Sequence, residues 1–361
     1  MMKPDGKRGD LIVREVSPFN AGPSAAQMGD QFITPTDSFF VRNHGDVPVI
    51  DAATYRLKVD GMVAHPLELR LDDLRGFPSH RLVATLQCAG NRRRELAQVA
   101  PIPGELEWDM EAISTAEWRG VRLRDVLLAA GALQGAAHVA FLGADSIDLH
   151  GSVIGLGGSV PLSKALHDDT LLAYEMNGAP LLPTHGYPLR ALVPGYIGAR
   201  SVKWLAQVTV QAQPSDNYYQ QRAYRLYPAD AAPSALNVES GMMLGELPII
   251  SVITSPEPGA VLLAGMARVR GYALAGEREV ARVEVSADGG ERWHSAALLG
   301  EARAYAWRWW QADVPLSAGA RTLIVRAWDT GANTQPERIE TVWNFKGYMN
   351  NAWHRVPVDV R

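Results

Sequence analysis

From about residue 247 to its end, this chain is a succession of short apolar runs, each closed by a turn signal. That rhythm leaves room for little but strands. Residues 249–254 run into Ser255-Pro256-Glu257-Pro258-Gly259, and residues 283–285 into Asp288-Gly289-Gly290. Residues 307–310 follow, and residues 323–328 end at Asp329-Thr330-Gly331. Short strands with turns at regular spacing predict an immunoglobulin-like sandwich. The preceding stretch, from about residue 34 to 210, mixes strands, turns and short helices. Tyr55-Arg56-Leu57-Lys58-Val59 alternates polar with apolar and stops at Asp60-Gly61, the pattern of a half-buried strand. Residues 139–142 and 201–210 read as further strands, and residues 123–131 and 161–172 as the best helices. Residues 214–233 are polar, aromatic and proline-bearing. They read as a long connection, of the kind that is functional or a linker.

The whole is therefore expected to be α+β, in three parts: an arm over 1–33, a mixed α/β domain over 34–235, and an all-β sandwich over 236–361. A length of 361 residues suits two cores better than one. The 33 glycines, 23 prolines and 10 tryptophans fit a loop-rich, strand-rich fold. A net charge of −4 gives no basic bias toward nucleic acid. No apolar run is long enough to span a bilayer, so no membrane partner is expected. Residues 1–22 lack both the apolar core of a secretory signal and the paired arginines of a twin-arginine leader. The expected compartment is the cytoplasm, or the periplasm if a leader has been removed.

The chain has a single cysteine, Cys88. One thiol cannot close an internal disulfide or build a multi-cysteine metal site. It is an inert buried thiol, a nucleophile, or one soft ligand to a metal that brings its other ligands along. Alone, such a cysteine is most often a small buried hydrophobe. Its neighbourhood is Thr85-Leu86-Gln87-Cys88-Ala89-Gly90-Asn91-Arg92-Arg93-Arg94. Nearby positive charge favours a thiolate, and Gly90-Asn91 is a turn signal able to bring the arginines back toward the sulfur. Further clusters pair arginine, histidine or lysine with backbone-tightening residues: Phe39-Phe40-Val41-Arg42-Asn43-His44, His185-Gly186-Tyr187-Pro188-Leu189-Arg190, Gly198-Ala199-Arg200-Ser201-Val202-Lys203-Trp204 and Asn351-Ala352-Trp353-His354-Arg355-Val356. If they converge, they make a cationic pocket around one thiolate, suited to an oxyanion or a phosphorylated cofactor. Other features have plainer readings. Gly155-Leu156-Gly157-Gly158-Ser159 fits neither a Rossmann nor a P-loop pattern. His150 and His167 read as structural or solvated, and Trp307, Trp309 and Trp310 as sandwich core.

These five motifs, in this order, resemble the sulfite oxidase family of molybdenum enzymes, over nearly the whole length from about residue 34. The resemblance implies a molybdopterin-binding domain followed by an immunoglobulin-like domain that mediates homodimerisation. It implies that Cys88 is the protein's ligand to molybdenum, the other sulfurs coming from a pterin dithiolene. By matching position, Phe40, Val41, Arg42, Asn43, His44, Asp145, His185, Arg190, Ser201, Val202 and Lys203 would hold the pterin and its phosphate. Asp145 would accept from pterin N–H groups, and residues 201–203 would offer backbone N–H donors. Arg42, Arg93, Trp118, Tyr224 and Arg355 would surround the substrate anion, with Tyr224 able to relay a proton. The implied reaction is oxidation of sulfite to sulfate by oxygen-atom transfer, and replacing Arg355 is expected to weaken sulfite binding.

Only a short polar arm precedes residue 34, and the sequence holds no C-x-x-C-H motif. No haem is therefore expected, and the electrons are expected to pass to an external acceptor such as a cytochrome or oxygen. The family also includes nitrate reductases, so nitrate reduction or another oxygen-atom transfer is the alternative enzyme. A non-catalytic anion-binding protein, with Cys88 inert, is the alternative outside enzymes.

Overall fold

A computed structural model of the chain describes residues 3–29, 31–149, 151–231, 237 and 240–361. His150 and residues 232–233, the end of the expected connection, lie outside the described residues.

Among the described residues, two larger sheets build the first part. One runs in the order Gly157–Pro161, His138–Gly143, Leu205–Gln211, Leu57–Gly61, Leu67–Leu69. The other runs Ala179–Pro180, Leu171–Met176, Ile113–Arg122, Ser79–Gln87, with Arg190–Leu192 also pairing Leu171–Met176. Leu57, Val59, Phe141, Val208 and Val210 point into one core, as strand alternation requires. A second core holds Ala84, Leu86, Cys88, Trp108 and Trp118.

The helix expected at 123–131 forms over Leu123–Ala130 and stops at Gly131, whose φ of 68° supplies the left-handed exit. The helix expected at 161–172 is cut to Leu162–Ala165. Leu171, Leu172 and Ala173 instead form a strand that pairs on both sides, with Ile113–Arg122 and with Arg190–Leu192. Central burial in a sheet outweighs local helical preference there. The strand expected over 201–210 begins only at Leu205. Residues 201–204 are a loop closed by Trp204 at φ 50°.

From Ile250 onward, two sheets face each other. Ile250–Ser255, Gly265–Leu274, Arg308–Leu316 and Ala297–Leu298 make one. Ala260–Leu262, His354–Val360, Gly319–Asp329, Val280–Ser286 and His294–Ser295 make the other. Val269, Val283, Trp310, Val325 and Val356 fill the space between them. Trp310 is sandwich core as expected, but Trp307 and Trp309 are not. They point to the opposite face and join Met28, Tyr224, Tyr272 and Tyr348 in a cluster between the two parts of the molecule.

The N-terminal arm is not a loose polar extension. Ala21 bridges Val41, and Asn20 exchanges hydrogen bonds with Asn43, accepting from its N–H at 2.6 Å and donating to its carbonyl at 3.1 Å. Lys7 is buried.

Candidate active site

Cys88 stands one residue beyond the strand Ser79–Gln87, and its N–H still donates to Ala112 O at 2.9 Å. The chain then turns: Asn91 N–H donates to Cys88 O at 3.0 Å, and Arg93 N–H to Gly90 O at 3.1 Å. Gly90 N–H donates to Cys88 Sγ at 3.4 Å. The turn does not gather all three arginines on the sulfur. Arg92 adopts φ 63° and runs the other way, to Glu95 at 2.6 Å and Ala352 O at 2.9 Å. Arg94 points outward toward Asp109, 3.8 Å away. Arg93 alone folds back over Gly90, so close that a Cβ at Gly90 would lie 2.5 Å from the guanidinium.

The thiol opens on a cleft. Its wall includes Phe40, Arg42, His44, Cys88, His185, Arg190, Ser201, Val202, Lys203 and Tyr224, with Phe39, Leu86, Ala89, Leu156, Gly198 and Ala199. Four of the five sequence motifs thus line the one cleft that holds the sulfur. Val41 and Asn43 stand just behind the wall. Lys203 Nζ donates to Asn43 Oδ1 and, at 3.0 Å, to Thr184 O. Arg190 donates to His185 O at 3.0 Å and Ser201 O at 2.8 Å. Ser201 N–H is already engaged by Gly198 O at 3.0 Å, so it is not one of the free backbone donors the sequence reading expected. Asp145 sits behind Lys203 and accepts from Leu156 N–H at 3.0 Å. Arg42 donates to Asn43 O and lies 3.1 Å from His44 Nδ1, and His44 Nε2 lies 2.8 Å from the Tyr224 hydroxyl. Tyr224 is carried there by the π-helical turn Tyr219–Ala223 inside the long connection.

Two expected substrate-side residues are elsewhere. Trp118 is fully buried behind the wall, donates to Ala84 O at 3.1 Å, and carries the Arg190 guanidinium 5.0 Å above its ring. It holds Arg190 and does not reach the cleft. Arg355 lies on the strand His354–Val360, where burial alternates strictly. His354 therefore points inward, and Arg355 points to solvent, donating to Glu337 O at 2.9 Å beside Trp353. Arg93 is not one of the wall residues either: it is buried against Gly90, with Glu105 at 3.5 Å. The cation near it from the C-terminal side is Lys346, 3.1 Å from Glu105.

Lys7 is the residue that sequence reading missed. Its ammonium donates to Thr36 O at 2.7 Å and Phe39 O at 2.6 Å, and lies 3.2 Å from His185 Nε2. No pattern around Lys7 in the sequence marks it, because its partners lie 29 to 178 residues away.

The electrostatics of the cleft describe what it can hold. Lys203 is pushed well below the usual lysine value by burial first, then by Arg190, Arg42 and Lys7, with Asp145 opposing. His185 and His44 are both held well below the usual histidine value by burial and by neighbouring cations. Lys7 is lowered to about 7, chiefly by burial. Arg190 is lowered to about 9 by burial. Buried cations of this kind would be relieved by a bound anion. Thr184 Oγ1 is buried with no partner among the described residues. The residues present fit an extended, polar, negatively charged group bearing a phosphate, with a soft metal site at Cys88.

Comparison with known proteins bears on the same assembly. Residues 44–219 match the oxidoreductase molybdopterin binding domain, and residues 242–361 match the Mo-co oxidoreductase dimerisation domain. The chain is 45% identical to sulfite oxidase from Gallus gallus, over 96% of this chain and 77% of that protein. It is 45% identical to the mitochondrial sulfite oxidase of Homo sapiens, over 97% of this chain and 66% of that one, so it spans about two thirds of that relative. Among solved structures, the sulfane dehydrogenase SoxCD from Paracoccus pantotrophus superposes with a TM-score of 0.81 at 26% identity, covering 98% of this chain and 87% of that one.

Proposed function

The chain belongs to the sulfite oxidase family of molybdopterin oxidoreductases, and on that premise we propose that it oxidises sulfite to sulfate and passes the electrons to an acceptor outside the chain. The observation that carries this is the meeting of one thiol and a buried cationic wall in a single cleft. The molybdenum cofactor, when bound, supplies two-electron oxygen-atom transfer at sulfur. Cys88 is the soft protein ligand to its metal. Lys203 and Arg190, with neutral His185 as a hydrogen-bonding partner, would hold the phosphate end, and Asp145, behind Lys203, would offset that lysine's charge. Asn43 keeps Lys203 in place.

The substrate side is formed by Arg42, Arg93 and Tyr224. Sulfite is an anion, and the two guanidiniums attract and orient it. Tyr224 keeps its proton: burial raises its pKa first of all. Its hydroxyl lies 2.8 Å from His44 Nε2 and would be free to donate to an oxygen of the substrate anion, with His44 kept neutral by burial and neighbouring cations. The acceptor is a cytochrome or oxygen, and the 242–361 domain joins two copies into a homodimer.

Protein purified from a molybdenum-replete host is expected to contain stoichiometric molybdenum and to reduce ferricytochrome c or ferricyanide with sulfite. Cys88→Ser is expected to abolish that turnover. Nitrate reduction without sulfite oxidation, or full turnover by Cys88→Ser, would overturn the proposal.

A further inference from the structure

Beside Cys88 lies a residue with no place in the wall described so far. Tyr348 is buried, 5% exposed, in the segment that follows the last short helical turn. Its ring stacks on that of Tyr224, with centroids 5.4 Å apart and planes 24° from parallel. The Arg93 guanidinium sits against the same ring, 5.1 Å from its centroid. One side chain therefore touches both the cation and the hydroxyl-bearing ring of the substrate side.

The surrounding backbone is built to fix it. Asn344 clasps Tyr348 from both sides, accepting from its N–H at 3.1 Å and donating to its carbonyl at 2.9 Å. Met349 N–H donates to Ala89 O at 2.8 Å, tying the segment to the neighbour of Cys88. Gly347, at φ 60°, lets the chain pass Arg93 closely: a Cβ there would be 2.6 Å from Arg93 Cγ. Arg93 in turn donates to Lys346 O at 3.0 Å and Leu106 O at 2.7 Å. Those two bonds set where the guanidinium is anchored. The Tyr348 ring sets how far it leans toward Tyr224, since a flat aromatic face attracts a guanidinium and excludes anything thicker than itself from that gap.

We propose that Tyr348 is a positioning residue for the substrate anion, its ring holding Arg93 and Tyr224 at a fixed separation beside Cys88. It acts through those two side chains and needs its ring, not its hydroxyl. This rests on the sulfite reading above, and the test separates the two.

The holoenzymes Tyr348→Phe and Tyr348→Val are compared with the parent for sulfite KM and kcat, molybdenum content, and thermal stabilisation by sulfate. Tyr348→Phe is expected to match the parent in all four. Tyr348→Val is expected to raise KM about tenfold and weaken stabilisation by sulfate similarly, with kcat and molybdenum content nearly unchanged. Parental KM in Tyr348→Val, or an equal rise in both variants, overturns the proposal. So does a loss of molybdenum in Tyr348→Val that accounts for its loss of rate, because that marks a purely structural residue. If the loaded parent does not turn over sulfite at all, the sulfite reading fails, and the sulfate measurement still decides whether Tyr348 positions an anion.

Discussion

Lys203 and Arg190 lie deep in the wall of the Cys88 cleft, where burial opposes their charge, joined at Lys203 by the neighbouring cations. A buried cation persists only with a partner, and here Asn43, Thr184 and Ser201 supply dipoles rather than full negative charge. An anionic cofactor would supply that charge. Arg355 shows the opposite case. Its sequence setting, next to His354 and Trp353, places it in a motif, yet strand parity turns it to solvent. Arg355→Met is accordingly expected to leave sulfite KM within about twofold of the parent, as for an ordinary surface substitution. Steady-state kinetics check this, and a tenfold rise would place the guanidinium at the substrate after all.

At the scale of elements, the turn from Cys88 to Arg93 does the sorting that three consecutive arginines could not announce. The left-handed residue at Arg92 reverses the chain, so Arg92, Arg93 and Arg94 leave in three directions. Gly90 is required because Arg93 lies where a side chain would begin. Gly90→Ala is expected to push Arg93 aside. It should raise sulfite KM on the order of tenfold, the loss of one charge-assisted contact, while molybdenum content stays near the parent's. Kinetics with metal analysis on the same preparation check both halves. The π-helical turn Tyr219–Ala223 is a second such device. Its extra residue sets the direction in which Tyr224 leaves the connection, and turns of this kind recur at functional sites.

At the scale of the molecule, the sandwich does more than follow the catalytic part. Thr85, on the strand leading to Cys88, receives a hydrogen bond at Oγ1 from Trp307 N–H at 2.8 Å, and its own N–H donates to Tyr305 O at 2.8 Å. Lower down, Arg92 and Glu95 meet His354 of the last strand, with His354 Nε2 3.9 Å from Glu95. Ile253 N–H donates to His354 Nδ1 at 3.1 Å, which requires the neutral ring's acceptor nitrogen there. Burial lowers His354 from 6.5 to about 4, with Glu95 opposing and Arg92 assisting. The folded state thus resists protonation while the unfolded chain takes it up. Stability tied to this histidine is complete above pH 6.5 and falls as pH drops toward 4, by about 3 kcal/mol in all. His354→Gln is expected to flatten the fall in unfolding free energy over that window. Denaturant titrations at a series of pH values measure it, and an unchanged slope would assign the acid sensitivity to other buried histidines such as His44 and His185.

What the sequence determined by itself was local or periodic. Turn-punctuated apolar runs specified the strands of the sandwich, Gly131 ended its helix, and compact motifs put Cys88, Arg42, His44, His185, Arg190 and Lys203 into one family's order. Each of these depends on residues close together in the chain. The tertiary structure decided what depends on residues far apart. Leu171 to Ala173 became a strand because two partners flank them. Trp118 went behind the wall because Arg190 and Ala84 meet it there. Arg355 faced outward because its strand's other face is sandwich core. Lys7 and Tyr348 are set beside the wall's own residues by partners that no local pattern links to them. Local pattern fixes which backbone a segment prefers. Only the packed whole fixes which side chain it turns toward the sulfur, because that choice is set by burial and charge summed over all its neighbours.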